Sequence, residues 1–328
     1  MSANLPGRAG VNRILLSASL MMGAVPAPSQ ASDELDVYGR INVTLQESDE
    51  ALEDKAELQS NSSRLGVKGE IALSPGLKAI YQLEWGVNVD SEGNDDILTP
   101  RNQFVGLEGR FGTVKVGRHD TALKQAQGNF DLFDDLEGDI GKVFNGENRL
   151  EDYIGYVTPA FGKGFTATVN LFPGEDSTTG NDGVADKISG SLRYQTDLVY
   201  AAIAHDSDVD GEGVDTTRLV GGYTVGPADL MLLYQRTDNG LQSEDGFGGS
   251  VAWTYGQYVA KIQYLGSDTW RTHPGAVPLA NRLDSLLSIG LDRKLGDAAR
   301  VFGFYTTGDI GGTDESNTYL AVGIELNF

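Results

Sequence analysis

Asp36-Val37-Tyr38-Gly39-Arg40-Ile41-Asn42-Val43-Thr44-Leu45-Gln46 reads as two interleaved lists. Val37, Gly39, Ile41, Val43 and Leu45 form an apolar or small row, and Tyr38, Arg40, Asn42, Thr44 and Gln46 form a polar one. A period of two marks a β-strand with one dry and one wet face, because successive side chains leave a pleated strand in opposite directions. The C-terminal residues repeat the pattern, with Leu320, Val322, Ile324, Leu326 and Phe328 against Tyr319, Ala321, Gly323, Glu325 and Asn327. So does Ile188, Gly190, Leu192 and Tyr194 against Lys187, Ser189, Ser191 and Arg193. Alternation of this kind runs almost the whole way from Asp36 to Phe328, and the chain is all-β.

Composition narrows the class. The 328 residues include 43 Gly, nearly twice the average usage of about 7%, which suits turns and crowded strands better than helices. Acidic residues outnumber basic ones 47 to 25, for a formal charge of −22, so a nucleic-acid partner is not expected. With no Cys, disulfides, zinc–thiolate sites and thiol nucleophiles are excluded. No stretch reaches 18 consecutive apolar residues, so no transmembrane helix is expected.

The first segment reads as an export signal. Arg8 and Arg13 precede an apolar stretch from Ile14 to Val25, followed by Pro26, Pro28 and Ser29-Gln30-Ala31. That is the basic, apolar and small-residue order of a secretory signal, with cleavage expected after Ala31, so residues 1–31 are a signal peptide and 32–328 the working domain.

The connections are as informative as the strands. Tight links are expected at Ser74-Pro75-Gly76, Phe111-Gly112, Gly162-Lys163-Gly164, Thr196-Asp197, Gly226-Pro227, Gly256-Gln257 and Gly296-Asp297. Between them lie long polar segments: Glu47–Asn61, Val89–Asn102, Arg118–Asp152, Pro173–Asp186, Asp206–Thr216, Thr237–Ser243, Gly266–Asn281 and Gly308–Ser316. Strict short–long alternation puts every large loop on one side. It implies about 16 antiparallel strands of membrane-spanning length, an even number that lets first and last pair and close a barrel. Closure satisfies every backbone group, as lipid demands. A soluble sandwich would need a second apolar sheet to pack against, and here the other face carries Arg, Lys, Glu, Asn and Ser. Phe111, Phe161, Phe165, Tyr255, Tyr258 and Phe328 near the short turns, and Trp85, Phe172, Tyr234 and Tyr305 nearer the long loops, are placed as two interfacial girdles.

At this point the chain resembles the general, non-specific porins of Gram-negative outer membranes. The resemblance rests on Asp36-Val37-Tyr38-Gly39-Arg40, Ser63-Arg64-Leu65-Gly66-Val67-Lys68-Gly69-Glu70, Val116-Gly117-Arg118, Asn145-Gly146-Glu147-Asn148-Arg149 and the terminal Gly323-Ile324-Glu325-Leu326-Asn327-Phe328. It implies a 16-stranded barrel in the outer membrane, usually a homotrimer, with the third long loop (118–152) folded into the lumen as a constriction. It also implies passive diffusion of small hydrophilic solutes and ions, and a terminal Phe328 presented to the barrel-insertion machinery. Outer-membrane lipid is the other partner; no cofactor and no catalysis are implied.

The third loop is far longer than the roughly 12–15 residues at which unstructured loops become unusual. Its run Phe130-Asp131-Leu132-Phe133-Asp134-Asp135-Leu136-Glu137-Gly138-Asp139 mixes apolar anchors with candidate constriction acids Asp131, Asp134, Asp135, Glu137 and Asp139. Phe130, Leu132, Phe133 and Leu136 are expected to hold it against a wall, with Asp134, Asp135, Glu137 and Asp139 facing water. A solvated surface loop is the simpler alternative, but it leaves the apolar residues unexplained. By resemblance, Arg40, Arg64, Arg101 and Arg149 match a basic ladder on the opposite wall, and alternation aims Arg40, Arg64 and Lys68 inward. Arg101 shares the parity of Val105 and Leu107, so it needs a bulge to turn it. The family's Pro-Glu-Phe-Gly element at the loop tip is absent. Acids facing guanidiniums across a narrow wet pore set up a transverse field. The acidic outer loops lead us to expect a preference for cations.

Three competing readings remain. Asp206-Ser207-Asp208-Val209-Asp210-Gly211 spaces oxygens as a calcium loop does, but Thr217 stands where a bidentate Glu is needed, so no metal site is expected. A hydrolase would need Ser, His and a carboxylate in register; His119, His205 and His273 are scattered and there is no Gly-x-Ser-x-Gly elbow. A substrate-specific channel, for sugars or other small nutrients, would want a continuous slide of inward aromatics, which the alternation does not provide.

Overall fold

The computed structural model describes residues 34–50, 53–90, 98–174, 183–268, 283–311 and 313–328. The expected signal segment, His273 and parts of the loops Glu47–Asn61, Val89–Asn102, Pro173–Asp186, Gly266–Asn281 and Gly308–Ser316 lie outside the described residues.

The alternating segments become strands β1 (Glu34–Glu50), β2 (Glu53–Ser60), β3 (Arg64–Ser74), β4 (Leu77–Val87), β5 (Leu98–Gly109), β6 (Gly112–Asp120), β7 (Arg149–Val157), β8 (Phe165–Phe172) and β9 (Lys187–Gln195). They continue as β10 (Val199–Ser207), β11 (Asp215–Val225), β12 (Ala228–Asp238), β13 (Ser243–Tyr255), β14 (Tyr258–Ser267), β15 (Leu283–Leu295), β16 (Ala299–Ile310) and β17 (Ser316–Asn327). Each pairs antiparallel with its chain neighbours, except that β2 and β3 both pair with β1 and not with each other, and β1 pairs with β17 from Arg40–Asn327 to Asp49–Thr318, which closes the sheet. Both β2 and β3 pair with β1 in nearly continuous register, Val43 with Ser60 and Arg40 with Arg64. They are two halves of one strand interrupted by a bulge at Asn61-Ser62-Ser63, so the 17-segment sheet is a closed 16-stranded barrel. No helix among the described residues is long and apolar enough to cross a membrane; the crossings are made by strands.

Burial follows the two rows read in the sequence, inverted relative to a soluble protein. Leu45, Leu320, Val322 and Ile324 are exposed on the outside, while Thr44, Gln46, Tyr319 and Ala321 are buried within. An outward apolar band with a polar interior is what lipid outside and water inside require. Closure is locked at the terminus by a two-way bond: the Gly39 amide donates to the Phe328 carbonyl at 2.8 Å and the Phe328 amide to Gly39 at 3.0 Å. The Phe328 ring lies where any Cβ at Gly39 would stand.

Two expectations need correction. Glu47–Asn61 is not mainly loop: β1 runs on to Glu50 and β2 starts at Glu53, with Ser48 opposite Lys55 and Glu47 opposite Ala56. Beyond the lipid both faces of a hairpin meet water, so the hydrophobic alternation that reveals a strand disappears although the pairing continues. Phe172 is not a girdle residue; it points inward, buried and edge-on to Tyr153 at 5.8 Å.

Candidate functional site

The connection from β6 to β7, residues 121–148, is ordered by its own caps and by the wall it touches. Thr121 caps the short helix α1 (Ala122–Gln125), its hydroxyl accepting from the Lys124 amide at 3.1 Å. Asp139 caps the 3-10 turn Ile140–Lys142, accepting from the Gly141 amide at 2.6 Å. Leu123, Phe130, Ile140, Val143 and Phe144 are buried against Ala204, Val220, Leu233, Leu265 and Leu286. Phe133 and Leu136 pack against Phe302, Phe304 and Tyr319. The strands leave room for these rings with glycine: a Cβ at Gly248 would stand 2.6 Å from Phe130 and one at Gly290 2.9 Å from Phe133. Polar wall residues fasten the backbone between, Ser250 donating to the Phe130 carbonyl at 2.7 Å and Lys261 to that of Leu132 at 3.0 Å.

The five candidate acids divide by what their oxygens do. Asp131 accepts from the amides of Phe133 (3.0 Å) and Ile140 (2.9 Å) and from Gln263 (3.0 Å), so it is a bracket inside the segment. Burial, then the nearby Asp139 carboxylate, pushes its carboxyl well above the ordinary value. Asp139 accepts from the Asp135 amide at 2.9 Å as well as from Gly141, and burial raises it too. Glu137 is buried and paired with Lys142 at 2.7 Å; burial opposes its ionisation, but Lys142 outweighs this and holds the carboxyl below its usual range. The expectation that Glu137 and Asp139 face water is therefore corrected, because backbone donors and Lys142 claim them first. Asp135 meets Arg40 in a close ion pair and Arg64 at 3.6 Å. Burial works against its charge, yet the two guanidiniums keep its carboxyl below the ordinary value. Only Asp134 among the five is exposed. Asp131, Asp134 and Asp139 bring one oxygen each within 4.8 Å of one another, but the first and third are engaged with backbone amides.

On the facing wall, three of the four arginines sit beside bulges, which re-aim side chains near sites. The Asn61–Ser63 bulge turns two carbonyls toward Arg40, which donates to Asn61 at 3.2 Å and to Ser62 at 3.4 Å, and Arg64 follows directly. Between β4 and β5 the register slips so that Arg101 and Asn102 together oppose Glu84, and Arg101 donates to Glu84 at 2.8 Å. This is the bulge that its parity demanded. Between β6 and β7 a third slip, at Glu151-Asp152, follows closely on Arg149, which meets Asp120 at 3.0 Å and Asn102 at 3.0 Å. Lys68 stands apart: it has the inward parity but pairs with Asp36 at 3.3 Å, away from the acids of 131–139. Arg64, Arg101, Lys124 and Arg149 then line one polar cavity of about 260 Å³ with Asp120, Asp134 and Asp135.

Several further charged residues line the interior without any motif to mark them. Arg218 is 0% exposed and donates to Glu147 (2.7 Å), Gln235 (2.8 Å) and the Asn145 carbonyl (3.0 Å), tying the end of the 121–148 segment to β11 and β12. Lys261, Asp292, Arg300 and Glu325 form a chain of ion pairs at 3.1, 2.6 and 2.8 Å on β14 to β17. Alternation could have found them, since Arg218 shares the parity of Val220 and Lys261 that of Gln263. His119 is buried and stacked on Tyr153 at 5.1 Å, with no nucleophile in its hydrogen bonds to Lys115 and the Asp120 carbonyl.

The cavity has a titratable member in the working range. Partial desolvation first, and the carboxylates of Asp135 and Asp139 second, push Asp134 up to about 6, against the pull of Arg40 and Lys124. An acid with a raised value is neutral below it, so lowering the pH from 8 to 5 removes one negative charge from the cavity. The expected result is a reversal potential that moves toward anions with an inflection near pH 6 and loses that inflection in Asp134→Asn. An unchanged inflection in the variant would contradict this assignment.

A sequence profile described as Gram-negative porin matches residues 17–313. The major outer membrane protein P.IB of Neisseria lactamica is 26% identical over 278 residues, covering 75% of this chain and 80% of that protein. A monosaccharide porin of a Halomonas species is 25% identical over 279 residues, 74% of this chain and 75% of that protein. Among solved structures, the anion-selective porin of Comamonas acidovorans superimposes with a TM-score of 0.72 at 21% identity, covering 90% of this chain and all of the other.

Proposed function

The chain belongs to the Gram-negative porin family, outer-membrane channels and not enzymes, and from that premise we propose that it passes small hydrophilic solutes and ions by diffusion through a lumen narrowed by residues 121–148. The observation that carries the proposal is the cavity in which Arg64, Arg101, Lys124 and Arg149 face Asp120, Asp134 and Asp135, two of those acids coming from the segment and three of the bases from the wall. Contacts of Phe130, Leu132 and Phe133 with inward-parity residues of β13, β14 and β16 support the placement of the segment inside the barrel.

In such a passage the charges act without chemistry. Opposite rows orient dipolar solutes and strip water from apolar ones at a cost, so flux depends on size and polarity and follows the gradient. Nothing in the cavity supplies an aromatic slide, which favours a general channel over the saccharide-specific alternative that the name of the Halomonas relative would suggest. Liposome swelling with neutral sugars tests this: rates should fall smoothly with solute size and stay linear in concentration. Saturation by one sugar would favour the specific channel.

A preference for cations belongs to the same reading, on the ground of the overall charge of −22. The wall arginines oppose it, so the preference is modest; a wild-type reversal potential on the anion side would overturn it. Assembly as a homotrimer is proposed from the outward apolar surface at the barrel seam, where Val43, Leu45, Leu58, Leu291, Val301, Val322 and Ile324 line a shallow groove. Phe328, at that seam, is proposed as the residue offered to the insertion machinery.

A further inference from the structure

Where the β10–β11 connection meets the root of the 121–148 segment, carboxylates are buried in excess of the cations that could answer them. Asp206 is 1% exposed, no backbone amide or cation donates to its carboxylate, and the Ser189 hydroxyl is the one donor beside it. Asp210 offers one oxygen to the Asn148 amide at 2.7 Å, while its second is buried and without a donor. The charges within electrostatic reach of Asp206 are Asp210, Glu147 and Arg218, with the cross-strand Ser189 hydroxyl beside it. Arg218 is already engaged by Glu147, Gln235 and the Asn145 carbonyl, and the Ser189 hydroxyl, which accepts from the Leu123 amide at 3.1 Å, offers Asp206 one neutral donor and no charge. A buried carboxylate with one neutral donor and no cation of its own is costly to ionise, and such groups are normally paired or coordinate metals.

The turn between them is tightly ordered and keeps Asp210 within electrostatic reach of Asp206. Asp208 has a left-handed φ of 60°, and its own carboxylate is occupied by the Gly213 amide at 2.7 Å and the Ser207 hydroxyl at 3.3 Å. Its amide and carbonyl close the loop on Val214 (2.9 Å) and Gly211 (3.3 Å), and Val209 is buried with Tyr153 and Phe172. The middle acid of the Asp-x-Asp-x-Asp-Gly run is thus consumed by the turn, leaving the outer two.

We propose that Asp206 and Asp210 hold a hard divalent cation of the calcium class, with water and loop carbonyls completing its oxygen shell. Calcium tolerates an irregular shell and bidentate carboxylates, whereas magnesium demands a near-ideal octahedron. Two carboxylates without the twelfth-position Glu place the affinity in the range of extracellular calcium modules, about 10⁻⁴–10⁻³ M. Through the Asp210–Asn148 bond the ion would fix the segment's exit beside Arg149.

Purified protein in detergent, stripped with a chelator, tests this by calorimetric titration with calcium chloride and by thermal unfolding, against sodium chloride of equal ionic strength. Wild type and Asp208→Asn, whose side chain keeps the turn, are expected to bind calcium and unfold at a higher temperature in its presence. Asp206→Asn and Asp210→Asn are expected to lose both effects. Asp210 lies outside the strands, so its variant serves if Asp206→Asn does not fold. No calcium heat in wild type, or a response that survives Asp210→Asn, would overturn the proposal.

Discussion

Replacing Arg40 and Arg64 together by alanine should raise the cation-to-anion permeability ratio by an order of magnitude or more. Both guanidiniums face Asp135, and their removal strips that carboxylate of its two paired cations and leaves it only the weaker influence of Arg101. A unit charge about 7 Å from a permeating ion at an effective dielectric constant of about 40 changes its energy by about 1 kcal/mol, with opposite sign for cation and anion. Two lost positive charges, each acting with opposite sign on cation and anion, shift the ratio by up to about 4 kcal/mol before screening, so a change of roughly tenfold or more is expected to survive at low salt. Screening should shrink the effect between 0.1 and 1 M KCl, where the Debye length falls from about 10 to 3 Å. Asp135→Asn should move the reversal potential the other way. Equal reversal potentials in wild type and the double variant would show that ions do not pass this pair.

Arg218→Ala should be the most destabilising single substitution among the charged residues. Its guanidinium is wholly buried and serves three acceptors, Glu147, Gln235 and the Asn145 carbonyl. Removing one partner of a buried ion pair leaves the other charge uncompensated, at a cost of about 3–5 kcal/mol. Since Asn145 and Glu147 end the 121–148 segment, the loss should also show as noisier current through an otherwise intact barrel. Glu147→Gln in the same background should recover part of the stability, because it withdraws the stranded charge. A loss below about 1 kcal/mol would mean that the segment is held by its apolar contacts alone.

How much of this was legible depends on whether a residue's surroundings are set by strand parity or by the path of a loop. Val37 to Leu45 and Leu320 to Phe328 announced the barrel because lipid on one side and water on the other stamp a period of two on the sequence. The hairpin arms Ser48–Glu50 and Asp54–Lys55 carry no such stamp, since water lies on both sides, and their sequence looks like loop. Parity found Arg40 and Arg64. It also showed that Arg101 needed a bulge, which the slip opposite Glu84 supplies, but it could not foresee the matching slips near Ser62 and Asp152. The acids were the least legible. Asp131, Asp139 and Glu137 look like Asp134 and Asp135 in sequence, and only the folded path shows that the first three serve amides, amide side chains and Lys142. Lys68 was misjudged for a related reason: its row was right, but its height along the strand sets it beside Asp36.

The central claim is that the barrel is an open aqueous channel, and planar lipid bilayers test it most directly. Addition of purified protein at picomolar concentration in 1 M KCl should give discrete conductance steps, ohmic at low voltage, grouped in threes and proportional to the conductivity of the salt. A well-folded preparation that inserts and yields no conductance would contradict the account.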